Sequence, residues 1–183
     1  MQMTRKRKAA VVVIIVLVVL GFLALAARFR SYLDYVRRET RQTLCVHNLK
    51  MIALQVRMYA DEHDGAFPDK WSTLVADPVF GFSDALEIFV CPEQSIQYKK
   101  THGAPYTVTG AEDVDERSSY VLVPGLHITD DKDTILAYEK GDNHGGIGHS
   151  LIYLDGRGAW DPPSNWYWTR PNGPSRSPSG AGR

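Results

Sequence analysis

The chain has 183 residues and balanced charge, with 21 basic side chains against 21 acidic ones. That balance gives no support for nucleic-acid binding, which shows itself as a basic excess. Two cysteines are too few for a zinc site of the four-cysteine kind. With an apolar N-terminal stretch and a polar tail set aside, about 130 residues remain, which suits one domain.

Residues 1–8 form a basic segment that includes Arg5, Lys6, Arg7 and Lys8. Residues 9–27 then carry no polar side chain. As a helix they span about 28 Å, close to the ~30 Å hydrocarbon core of a bilayer. The pattern predicts a transmembrane helix that contacts membrane lipid. The small-residue step Ala24-Leu25-Ala26 also fits a signal-peptide cleavage site. The apolar run, however, exceeds the usual 7–15 residues of a signal peptide, which favours a retained anchor. Arg28, Arg30, Arg37, Arg38 and Arg41 follow the run, so basic residues flank both ends and do not orient it.

The helical pattern continues past the anchor. Cys45, Leu49, Ile52, Val56 and Tyr59 recur at steps of three and four, which predicts one apolar helix face and a core contact. Arg41, Lys50 and Arg57 fall on other faces. Asp64-Gly65 supplies the stop, and Pro68 keeps the helix from resuming. Next, FPDKWSTLV reads as a turn and short helix with Trp71 and Leu74 inward. Ser83 is the expected N-cap of a second short helix, SDALEIF. Phe89-Val90-Cys91-Pro92 reads as a brief apolar stretch halted by proline.

Glu93 to Arg117 is polar and reads as a surface excursion, with YTVT as a short strand within it. The acidic residues Glu112, Asp113, Asp115 and Glu116 lack the spacing of a helix–loop–helix calcium site. Three strands are expected at Ser119–Val123, Thr134–Tyr138 and Ser150–Leu154. Asp155-Gly156 reads as a two-residue hairpin turn with both central residues at positive φ, returning the chain as a fourth strand, Arg157–Trp160. Short connections make these an antiparallel meander. The fold class is therefore α+β: a long N-terminal helix packed on a small antiparallel sheet of three to four strands. The domain spans residues 28–160. Residues 161–183 form a Pro/Gly/Ser-rich tail, expected to be largely disordered apart from Trp166-Tyr167-Trp168, whose three aromatics are expected to pack on the domain's own surface.

Few residues suggest chemistry. The loop from Asp142 to His149 holds Gly145, Gly146 and Gly148, but it lacks the ending of a phosphate-binding loop. His144, His149, Asp142 and Asp155 are of metal-ligating type at undiagnostic spacing. The simpler expectation is a structural hydrogen bond from His144 to Asp155. A Cys91–His144–Asp155 catalytic set is conceivable, yet a nucleophilic thiol favours a helix N-terminus, and Cys91 is expected after a strand. His47, His63, His102 and His127 read as surface residues. Cys45 and Cys91 are either a disulfide or two separate buried thiols. No catalytic residue, metal ligand or cofactor is expected.

Together, these segments resemble a family. CVHNLKMIALQVRMYADEHDGAFP, with Cys45 and Asn48, resembles a Cys-x-x-Asn-Leu-Lys-x-Ile segment of bacterial pilin-like proteins of planctomycete type. FVCPEQ, with Cys91, resembles their Phe-x-Cys-Pro element. SSYVLVPGL and ILAYEKGDNHGGIGHSLIYLDGRGAW resemble their C-terminal signature, in which His144, Gly145 and Gly146 lead through a strand to Asp155 and Gly156. The resemblance implies a pilin-type fold and kinship with type II secretion pseudopilins. It also implies a structural or assembly role, without enzymatic activity, at the bacterial cell envelope. Self-association or contact with other pilin-like or secretion proteins is expected as well. It places the N-terminus in the cytoplasm, the anchor in the inner membrane and the domain in the periplasm. Where prepilins carry a Gly-Phe-Thr-Leu-Ile-Glu-like cleavage motif, Lys8-Ala9-Ala10-Val11-Val12-Val13 stands here, so the helix is expected to stay attached. A ligand- or surface-binding module on the same anchor is the alternative, and an envelope enzyme ranks below both.

Overall fold

The computed structural model describes residues 5–78, 86–141, 143–144 and 147–161. Ser83, Gly145, Gly146, Asp142 and Trp166-Tyr167-Trp168 lie outside the described residues. The protein is α+β, as expected, with one long N-terminal helix and a four-stranded antiparallel sheet.

Helix α1 runs Arg5–Glu62. Its residues up to Thr40 belong to one compact unit, and a second unit begins at Arg41. In the first unit every side chain from Val12 to Leu25 is exposed. The helix as a whole is long and apolar enough, by length and composition, to cross a membrane.

In the second unit α1 supplies the spine of the core. Cys45, Leu49, Ile52 and Val56 are fully buried, as their spacing predicts. At the next turn the buried position passes to Ala60, while Tyr59 sits half-buried at the edge. A helix of 3.6 residues per turn drifts off any strict alternation of three and four. Tyr59 instead stacks on His63, with ring centroids 3.8 Å apart. The helix ends where His63 and Gly65 both donate their N–H to the Ala60 carbonyl, at 3.1 and 2.8 Å. His63 is also held by Asp77, 3.3 Å away, and is not a free surface side chain.

Helix α2, Trp71–Ala76, buries Trp71 and Leu74 as expected. Trp71 donates its indole N–H to the Tyr120 carbonyl at 2.9 Å. A 3₁₀ turn at Leu86–Phe89 replaces the expected helix SDALEIF within its described part, and it buries Phe89. The largest departure follows. Pro92–His102 lies at the surface, as expected, but as an eleven-residue helix, α3, and not as a loop. Its ends explain it. Pro92 stands at the first turn, where a missing N–H costs nothing. Glu93 and the Lys99, Lys100 and His102 group suit the two ends of the helix dipole, and Gly103 caps the C-terminus. YTVT forms no strand. Asp113 accepts N–H bonds from Thr109 and Gly110 at 3.0 and 3.1 Å, opening the short helix α4, Val114–Arg117.

The strands are β1 Tyr120–Leu122, β2 Ile135–Glu139, β3 His149–Tyr153 and β4 Gly158–Asp161, in the spatial order β1-β2-β3-β4. β4 extends to Asp161, so that residue belongs to the sheet and not to the tail. The β3–β4 hairpin differs from the two-residue turn. The Gly156 N–H bonds to the Tyr153 carbonyl and the Tyr153 N–H to the Arg157 carbonyl, both at 2.9 Å. Only Gly156 has positive φ, at 84°, and Asp155 does not. That is the pattern of a turn over Leu154-Asp155 followed by a left-handed glycine bulge. The sheet lays Tyr120, Leu122, Ala137 and Ile152 against the Leu49, Ile52 and Val56 face of α1.

Candidate functional site: a buried cysteine–histidine–glutamate cluster

Four elements of the domain bring chemistry-bearing side chains to one buried point. α1 contributes Cys45. Cys91 is the N-cap residue of α3, not the end of a strand. Its N–H is held by the Ser119 hydroxyl at 2.6 Å, and its carbonyl accepts the Ser95 N–H at 3.0 Å. β2 ends on Glu139, which pairs with Tyr120 in the register of the sheet. The turn after β2 supplies His144, whose ring meets Trp160 edge-on at a centroid distance of 5.0 Å. All four side chains are buried.

The atoms converge. Cys45 Sγ lies 2.9 Å from Cys91 Sγ, and both cysteines are free thiols. Cys91 Sγ lies 3.5 Å from His144 Nε2, which lies 3.1 Å from Glu139 Oε1. The four donor atoms all fall within 4.8 Å of one another. Glu139 Oε2 accepts the Ser150 N–H at 3.2 Å. Glu139 Oε1 has an ion-pair contact with His144 but no well-aligned hydrogen bond.

Burial and pairing set the charges. Burial resists ionisation of Glu139, but the His144 bond and charge hold its carboxyl below the usual range. Burial likewise opposes charge on His144, and its contacts with Cys91 and Glu139 raise it to about 10. Burial and the neighbouring Cys45 push the Cys91 thiol far up. At neutral pH the cluster therefore holds a carboxylate–imidazolium pair, Glu139 and His144, beside the neutral Cys91 thiol. A buried pair of this kind needs both partners, since removing one leaves a charge without compensation.

The geometry does not match a thiol nucleophile. A base relay uses both imidazole nitrogens, one toward the nucleophile and one toward the carboxylate. Here Nε2 faces both Cys91 and Glu139. Cys91 does stand at a helix N-terminus, which favours a thiolate, but burial outweighs that effect.

The residues singled out in the sequence divide in two. Cys45, Cys91 and His144 come together. Asp155 does not join them: it accepts the Arg157 N–H at 2.9 Å within the β3–β4 turn, so the expected His144–Asp155 bond is replaced by His144–Glu139. The strand between His144 and Asp155 keeps them at opposite ends of β3. Asn48 donates to the Val90 carbonyl at 3.2 Å and so tethers the chain just before Cys91. His149 is buried on β3. His127 bonds the Asp64 carbonyl at 2.9 Å and is likewise structural. Glu139 is the residue that sequence reasoning missed. Its signal was parity: along β2 it shares the face of Ala137, which is inward.

A cleft of about 670 Å³ lies nearby, lined by Asn48, Leu86, Val90, Pro92 and Tyr106. Comparison with protein-family models, curated proteins and solved structures finds no match for this chain.

Proposed function

We propose that this protein is a non-enzymatic, single-pass, membrane-anchored component of the cell envelope with a structural or assembly role of pilin-like kind. The carrying observation is that one helix has two kinds of surface. From Val12 to Leu25 it is apolar and exposed on every side, which is the signature of a helix that meets lipid or other apolar helices. From Cys45 to Ala60 the same helix is the spine of a folded domain. One helix thus contributes residues to both units. It leaves the anchor segment available to pack against a second copy or against pilin-like and secretion proteins. Orientation follows the resemblance, with the N-terminus cytoplasmic and the domain outside. No nucleic-acid partner and no cofactor enter this reading.

Crosslinking in native membranes followed by affinity purification tests it. The expected result is a carbonate-resistant membrane protein that recovers itself or other proteins with N-terminal apolar helices. Release by carbonate, or a chain that crosslinks to nothing, refutes it. The alternative, a ligand-binding module on the same anchor, rests on the cleft beside Asn48 and Tyr106. It predicts a small molecule that copurifies and is lost when Tyr106→Trp fills the cleft.

A further inference from the structure

We infer that Cys45, Cys91, Glu139 and His144 form a closed, structural binding site for a tetrahedral divalent cation of the zinc class. The inference stands apart from the membrane reading, because it rests only on the folded domain.

Three observations carry it. First, the donor set is right. Two sulfurs, an imidazole nitrogen and a carboxylate oxygen are four zinc-type ligands, whereas calcium and magnesium call for oxygen alone. Second, the geometry is close. Bonds of about 2.3 Å to sulfur and 2.0–2.1 Å to nitrogen imply donor separations of roughly 3.3–3.8 Å around a tetrahedron. The observed separations of 2.9, 3.5 and 3.1 Å, with no pair beyond 4.8 Å, bracket that range. Movements of about 1 Å would bring every donor into place. Third, the donors crowd one point. His144 Nε2 faces Cys91 and Glu139 together, so one N–H cannot satisfy both. The two sulfurs approach more closely than the ~3.5–4.0 Å of ordinary non-bonded packing, yet stay well outside the ~2.05 Å of a disulfide. A cation at the centre would separate the sulfurs and give Glu139 Oε1, which has only a misaligned ion-pair contact with His144, a direct ligand bond.

The surroundings support ligation. Glu139 is oriented through its other oxygen by the Ser150 N–H. Cys91 is held by the Ser119 hydroxyl on its backbone N–H, and Ser119 in turn donates to Gln94. Such outer contacts aim ligands in metal sites. All four positions come from protein and all four residues are buried, so no coordination position is left for a substrate. The site is a clasp, and it ties α1 to α3, to β2 and to the turn that leads into β3.

The test uses the full chain, extracted in detergent without chelator, added metal or reductant. Elemental analysis is expected to find one zinc per chain, and both cysteines should react as thiols after denaturation with chelator. Cys45→Ser and Glu139→Gln should each lower the zinc content, the first to background. Because these variants can fail to fold, the wild-type chain is also stripped and titrated with cobalt(II). One equivalent should produce thiolate charge-transfer absorption and the strong visible bands of a tetrahedral site. Cobalt uptake without thiolate bands overturns the inference, as does zinc that persists in Cys45→Ser, an adventitious ion only. A metal-free chain that takes up no cobalt also overturns it, whether its thiols are free or joined as a Cys45–Cys91 disulfide.

Discussion

Replacing Ile52 by alanine tests whether α1 is the spine of the domain. Ile52 is fully buried at the centre of the α1 face, among Leu49, Val56 and the side chains of the sheet. Ile→Ala removes three carbons, worth about 0.8 kcal/mol each when buried, or roughly 2.4 kcal/mol. A residual cavity of only ~50 Å³ adds about 1.2 kcal/mol. The expected loss is therefore about 3–4 kcal/mol, inside the ~2–5 kcal/mol range for such truncations. Leu54, two residues along the same helix, is 52% exposed. Leu54→Ala removes as many carbons but little buried area and keeps a strong helix former, so it should cost under about 1 kcal/mol. For a domain of this size the Ile52 variant should melt roughly 10 °C lower. Thermal unfolding of the detergent-solubilised full chain, followed by tryptophan fluorescence and by near-UV circular dichroism, measures both. Equal midpoints for the two variants would refute the packing of this face.

Gly148→Ala should destabilise by about 1–3 kcal/mol, because φ there is +147° and a Cβ would lie 2.6 Å from the Asp161 carbonyl oxygen. Gly141→Ala, where nothing lies within 4 Å, should be neutral, and urea midpoints of the two compare them directly. Arg41 on α1 pairs with Glu93 on α3. Burial works against the Glu93 charge, but the Arg41 bond holds its carboxyl below the ordinary value of 4.5. Stability from this pair is thus fully present above that ordinary value and is lost as pH falls through the depressed one. The melting difference between wild type and Glu93→Gln should accordingly shrink on acidification, and a difference that grows instead removes the pair as its cause. Intact-mass analysis of membrane-extracted protein should show Arg5 to Ala27 still attached, whereas a mature N-terminus at Ala27 would identify a cleaved signal peptide.

Periodicity made most of the fold legible in the sequence. The apolar run of residues 9–27, the recurrence of Cys45, Leu49, Ile52 and Val56, and the short apolar runs bounded by turn residues in the first three strands are local patterns. Each reflects the surface that its element must keep from water. α3 escaped because it buries no residue fully, so it has no apolar stripe to read and only its ends, Pro92 and Gly103, mark it. The hairpin at Asp155-Gly156 was placed correctly but given the wrong turn, since the bulge depends on the register of β4 against β3.

The cluster lay beyond the sequence for a different reason. Cys45 and Cys91 are separated by 46 residues, and Cys91 and His144 by 53; no local pattern links them. Asp155 is the partner for His144 that the sequence suggests. The rigid length of β3 carries Asp155 away, and the inward parity of β2 brings Glu139 in. The sequence by itself determined the spine helix, the short apolar strands and the apolar run long enough to span a bilayer, because those depend on neighbours along the chain. Only the tertiary structure decided which four donors share one buried point. That depends on where α1, α3, β2 and the turn after it close on one another, and such long-range closure is fixed by packing rather than by any spacing along the chain.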